Sequence, residues 1–192
     1  MRFLLVPLVL MCQQGIHGKA IHSVAGPFVT YGERFYSCEP DNRLDLPWKW
    51  HLRGTHFNPH KPKEPQLLTG NVTGVNETID DGCWAKVIVD IRSNNQWKAN
   101  NFVCSFKRNA CQALRSNIPK FFEGMFKKRA DDKGACILKP RVYAVNSTPI
   151  DWTFPNIPIF PYGQYRFRLT FGRGENLYAC WVAETKVVPK PE

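Results

Sequence analysis

The side chains best suited to chemistry in this 192-residue chain are its seven cysteines, at positions 12, 38, 83, 104, 111, 136 and 180. No C-x-x-C pair occurs, and the closest spacing is Cys104 to Cys111, so the pattern favours disulfides over zinc. His51, His56 and His60 cluster, but without an i, i+4 pair joined to a carboxylate, and a solvated loop is expected there. Acidic pairs stand at Asp80-Asp81 and Asp131-Asp132, where adjacent acids in turn-like segments are expected to be solvated. There is no G-x-S-x-G, no H-E-x-x-H and no Gly-rich phosphate loop. The reading is a protein that is not an enzyme and uses no metal or cofactor. Three triplets can accept N-linked glycans: Asn71-Val72-Thr73, Asn76-Glu77-Thr78 and Asn146-Ser147-Thr148.

The start of the chain says where such cysteines and sequons would be used. Met1-Arg2 precedes an apolar run from Phe3 to Cys12, too short to anchor in a bilayer, with small residues at Gly18 and Ala20. Residues 1–20 are therefore expected to be a signal peptide that is removed, leaving one domain over 21–192. That cut removes Cys12, Arg2 and Lys19, leaving six cysteines and a net charge of +8. Six cysteines allow fifteen pairings. The expected destination is the extracellular space or the lysosomal lumen, both oxidising enough for disulfides.

Short strands must position these groups. A first strand is expected near Phe28 to Tyr36, and the segment from Glu39 to Pro65, with five prolines, reads as irregular or edge structure. Leu67 to Glu77 is strand-like. Cys83 to Ile91 alternates, with Cys83, Ala85, Val87, Val89 and Ile91 on one face, and turns at Ser93-Asn94-Asn95 into a partner from Trp97 to Phe106. Residues 111 to 129 carry helical periodicity that Pro119 should split in two. Strands resume at Cys136 to Val145. In Gln164 to Phe171, Tyr165, Phe167, Leu169 and Phe171 share one face and Arg166, Arg168 and Thr170 the other; the chain then turns into Leu177 to Val188. Seven or eight short strands with one helical insert and no βαβ rhythm predict an all-β, immunoglobulin-like sandwich.

Two apolar stretches stand out. Phe121, Phe122, Met125 and Phe126 run directly into Lys127-Lys128-Arg129, a pattern that suits either a membrane-dipping surface or an amphipathic helix facing the core. The segment from Trp152 to Tyr162 is proline-stiffened yet strongly hydrophobic. It is either tucked on the core or forms the lip of an apolar pocket.

The order of these parts resembles the ganglioside GM2 activator-like proteins, including their arthropod members, within the ML lipid-recognition superfamily. The similarity covers about Phe35 to Val188. Its motifs are an opening Cys38, Gly70-Asn71-Val72-Thr73, the loop from Cys104 through Ser105-Phe106-Lys107-Arg108-Asn109-Ala110 to Cys111, Tyr162-Gly163-Gln164-Tyr165-Arg166, and Cys180 in a closing strand. The resemblance implies a sandwich opened into a cup with an apolar cavity. It also implies disulfides Cys38–Cys180 and Cys104–Cys111, which leaves Cys83–Cys136. A fourth bridge of the activator has no counterpart here, since no cysteine lies between 111 and 136.

On that reading the cavity would hold a lipid or another hydrophobic small molecule. Its expected lining is Phe102, Leu114, Phe121, Phe122, Trp152, Phe154, Ile159, Phe160, Phe167, Leu169 and Trp181, about half of them touching ligand. Phe126, Lys127, Lys128 and Arg129 would face an anionic membrane surface. The implied jobs are carriage of lipid, presentation of glycolipid to a hydrolase, or transport of hydrophobic chemosensory signals; nucleic acid is not an expected partner. A reading from a different class is a secreted interaction module with a packed core and a basic face for a receptor or polysaccharide.

Overall fold

A computed structural model describes residues 24–38, 45–58, 60–61 and 63–191. The expected signal peptide lies outside the described residues, as do Pro40, Pro59 and Pro62. In chain order the elements are β1 (Ala25–Gly26), β2 (Phe28–Ser37), β3 (Trp48–Gly54), β4 (Gln66–Gly74), β5 (Ile79–Asp80), β6 (Trp84–Ser93) and β7 (Gln96–Phe106). Two helices follow, α1 (Ala110–Asn117) and α2 (Pro119–Phe126). The chain closes with β8 (Ile137–Leu138), β9 (Val142–Ile150), β10 (Phe160–Pro161), β11 (Gly163–Arg173) and β12 (Asn176–Pro189).

These strands make the expected all-β sandwich. One antiparallel group runs β7-β6-β11-β12, with β2 also on β12, and the other runs β3-β4-β9. The groups join at a single parallel bridge, Ala179 to Trp48. Their inner faces meet where the Trp50 ring stacks on Trp181 with centroids 5.2 Å apart. Local chemistry sets the turns. Asn94 and Asn95 both take positive φ (51° and 60°), which the two-residue β6–β7 hairpin needs and asparagine tolerates.

The proline-rich stretch departs from expectation in part: β3 is a regular strand rather than irregular structure, while it does stand at the edge of the β3-β4-β9 group, touching β12 only through the Ala179–Trp48 bridge. Within Trp48–Gly54 there is no proline, and Trp48, Trp50 and Leu52 are buried while Lys49, His51 and Arg53 are exposed. That period of two outweighs the flanking prolines.

Pro119 opens α2 at its first turn, as expected, and separates it from α1. Helix α2 lies close on β9, and a Cβ at Gly124 would sit 2.4 Å from Ile150 Cδ1, so a larger residue there requires the end of the Ile150 side chain to move. The start of α1 is capped from elsewhere in the chain. One Asp81 carboxylate oxygen accepts the Gln112 N–H (3.1 Å), the other accepts the Cys136 N–H (3.3 Å), and its carbonyl accepts the Asn109 N–H (2.8 Å). Asp80 pairs with Arg173. The Asp80-Asp81 pair is thus structural rather than merely solvated.

The basic outer side of β11 hides one buried acid. Asp90 is fully buried; its carboxylate accepts from the Asn100 N–H (2.9 Å), Arg166 (2.8 Å) and Arg168 (3.1 Å). Burial pushes its pKa up, but the Asn100 N–H and the two guanidinium groups more than offset this and hold it below the usual carboxylate range.

Cys38 is bridged to Cys180, across 142 positions of sequence, and ties β2 to β12. The other two expected bridges are not formed. Cys111 pairs with Cys136, while Cys83 is free and buried and Cys104 is free and exposed. Helical geometry explains the exchange. Helix α1 turns Ala110, Ala113 and Leu114 to the side on which Cys104 lies, and the fully buried Cys111 to the other, where Asp81 holds Cys136. Closed disulfides fit an oxidising compartment. Among the described residues no helix is long and apolar enough to cross a membrane.

Candidate ligand cavity

Between the five-strand group and the helices lies a cavity of about 350 Å³. The strand wall follows from alternation: β6 contributes Ala85, Val87 and Val89, β11 contributes Phe167, Leu169 and Phe171, and β12 contributes Trp181, Ala183 and Thr185. The opposite wall is helical, with Ala110, Ala113, Leu114, Asn117 and Phe121 at steps of three and four. The segment after β9 completes it with Trp152, Phe154 and Ile157, so this greasy stretch is a pocket lip. No charged side chain lines the cavity. Exposed lining residues mark its mouth: Phe102 and Cys104 on the edge strand β7, and Ile157 across from them.

Nine of the eleven expected lining residues do face this space: Phe102, Leu114, Phe121, Trp152, Phe154, Phe160, Phe167, Leu169 and Trp181. The other two are corrected. Phe122 is 1% exposed in the solid core beside Phe126, and Ile159 is 61% exposed on the surface. Phe121 and Phe122 are consecutive in α2, so about 100° of helix rotation separates the cavity side from the core side, and both fall within the broad apolar face that periodicity marks.

The membrane-facing assignment of Phe126 is also overturned. Its ring is fully buried and packs edge-on to Tyr143 at 5.0 Å. Lys127, Lys128 and Arg129 are exposed but do not line the cavity; Lys128 Nζ donates to the Ile137 carbonyl (2.7 Å) and Arg129 pairs with Asp131. Among the exposed cations next to lining residues along the chain are Lys107 and Arg108, between Phe106 and Ala110.

A polar residue missed in the sequence holds the wall in place. Gln66, 4% exposed, donates from Nε2 to the Gly32 and Thr55 carbonyls (2.6 and 2.7 Å). Its Oε1 accepts from the Gly32 N–H (3.0 Å) and from Trp152 Nε1 (2.8 Å). Every hydrogen-bonding position on the amide is used, and Trp152 is fixed against Phe121, with ring centroids 5.2 Å apart. Nothing in the sequence marks a glutamine for this duty.

Of the sequon asparagines, Asn76 and Asn146 are exposed and Asn71 is half-buried in β4 opposite Ala144. His51 lies exposed on β3, and among the described residues no three His, Cys, Asp or Glu side chains gather as a metal site. No family model matches the chain, and no curated protein matches it significantly.

Proposed function

We propose that this is a secreted, non-enzymatic lipid-binding protein that holds acyl chains in its cavity, either as a carrier or as an activator presenting lipid to a hydrolase. The observation that carries this reading is the cavity itself: 350 Å³, open at one edge and lined mostly by apolar side chains, without a single charge. That volume lies within the range of small-molecule sites, and a hollow of this size is atypical of a close-packed interior. Each methylene moved from water into it gains about 0.8 kcal/mol, so ten give about 8 kcal/mol before the cost of association. Lys107 and Arg108 beside the lining would draw anionic headgroups or membranes toward it. The likeness to the GM2 activator-like proteins supports the same reading.

Native mass spectrometry of protein secreted from eukaryotic cells provides the test. Glycosylated protein carrying an apolar adduct, released on unfolding, is the expected result. Protein that emerges without adduct and takes up no added long-chain lipid would refute the proposal.

A further inference from the structure

Lys127-Lys128-Arg129, which takes no part in the cavity, sits in the longest exposed irregular stretch of the helical insert. From Phe126, fully buried at the end of α2, to Cys136, buried before β8, nine residues run outside any helix or strand. Eight of the nine are exposed and only Ala130 is partly covered, so the chain is anchored at both ends and open between them. Such segments are where proteases nick folded proteins, because little must be broken to draw the chain out. Here the bonds to be broken lie on the surface. Arg129 pairs with Asp131, an exposed ion pair that contributes little, and Lys128 Nζ donates to the Ile137 carbonyl (2.7 Å). One other run of consecutive cations occurs, Lys107-Arg108, in the three-residue connection between β7 and α1. There the Asn109 and Ala110 N–H groups donate to the Asp81 and Cys83 carbonyls (2.8 and 3.1 Å), so drawing the chain out would undo the start of α1. Other exposed loop cations stand singly, as at Lys61 and Lys63 either side of Pro62, and Lys139 and Arg141 either side of Pro140.

The surroundings are also arranged to keep the product of a cut together. Hydrolysis after Arg129 adds water across the Arg129–Ala130 peptide bond, leaving a carboxylate on Arg129 and an amine on Ala130 that is protonated at neutral pH. The Ala130 N–H already donates to Glu123 Oε1 (3.0 Å), so the new ammonium meets a carboxylate without rearrangement. The Cys111–Cys136 and Cys38–Cys180 disulfides both close over this bond, and Cys136 follows Ala130 by only six positions. The two pieces therefore stay joined, with their new ends held close.

We propose that Lys127-Lys128-Arg129 is a processing site for an endoprotease that recognises consecutive basic residues, and that cutting after Arg129 yields a two-chain protein with its fold retained. Acidic pockets of such an enzyme would seat the Arg129 and Lys128 cations. The inference stands apart from the lipid-binding reading. The test incubates folded protein, disulfides intact, with a subtilisin-type endoprotease specific for paired basic residues, and reads the product by mass spectrometry. Without reductant the protein should gain the mass of one water and stay in one piece. With reductant it should part into a chain ending at Arg129 and a chain beginning at Ala130. Lys128→Gln combined with Arg129→Gln should abolish the cut, whereas Lys107→Gln combined with Arg108→Gln should leave it unchanged. All four positions are exposed, and the melting temperatures of the uncut variants verify that they fold. Nicked wild type should melt close to the intact protein, and Glu123→Gln should lower the nicked form more, because only that form carries the ammonium. A first cut at any other bond, an intact chain under conditions that cleave the unfolded protein, or chains that part without reductant overturns the assignment.

Discussion

Filling the cavity with the protein's own atoms separates a hollow sandwich from a packed one by the sign of the effect. Ala113 on α1 lines the cavity, and leucine there adds three carbons to a space of about 350 Å³ while barely altering helix propensity. At about 0.8 kcal/mol per buried carbon, Ala113→Leu should stabilise the ligand-free protein by up to about 2.4 kcal/mol. For a domain of this size that raises the melting temperature by about 5 to 10 °C. The same three carbons are lost to a bound chain, so lipid affinity should fall by up to about 60-fold. Urea unfolding of delipidated protein measures the first effect and probe displacement the second. Ala144→Leu, on the exposed face of β9, is the control and should change stability by less than about 0.5 kcal/mol. If the interior were solid, leucine at 113 would overpack it and destabilise by about 1 to 3 kcal/mol. A fall in the urea midpoint would refute the hollow interior.

Two further outcomes follow from the charges and the cysteines. Asp90 has a depressed folded-state pKa, so its contribution is present above its unfolded value, about 3.9, and is lost as pH falls through the lower folded value. Asp90→Asn should cost about 3 kcal/mol at neutral pH and flatten the acid limb of a stability–pH curve below about pH 4; an unchanged acid limb would rule Asp90 out as its source. For the cysteines, alkylation of native protein starting at residue 21 should tag Cys104 alone, and unfolding without reductant should add Cys83. Closure entropy credits Cys38–Cys180 with about 5 kcal/mol and Cys111–Cys136 with about 3.5 kcal/mol, measurable as losses on paired Cys→Ala substitution. A peptide linking Cys104 to Cys111 would contradict this arrangement.

Much of the architecture was legible because it follows from local periodicity. The alternation in Cys83 to Ile91 and in Gln164 to Phe171 located β6 and β11 and the faces they turn inward. Asn94-Asn95 marked a hairpin, Pro119 marked the break between the helices, and a proline-stiffened hydrophobic segment marked a pocket lip. Strand β3 was placed at an edge but its regularity was missed, because proline density was weighed over a window wider than the seven residues that carry the alternation.

What local pattern left open depended on which distant residues meet. Phe121 and Phe122 are chemically identical neighbours, yet the 100° or so between consecutive residues of α2 sends the first to the cavity and the second to the core. Cys111 could reach Cys104 or Cys136 on grounds of sequence, and the rotation of α1 against β7, set by Asp81 thirty residues upstream, decided for Cys136. Asp90 looked like any outward residue until a backbone N–H ten positions away and two arginines from β11 closed over it. The sequence by itself determined a disulfide-bearing β-sandwich with an apolar interior. Only packing across the two sheets decided that this interior is hollow, because volume left between walls depends on how every pair of facing side chains fits.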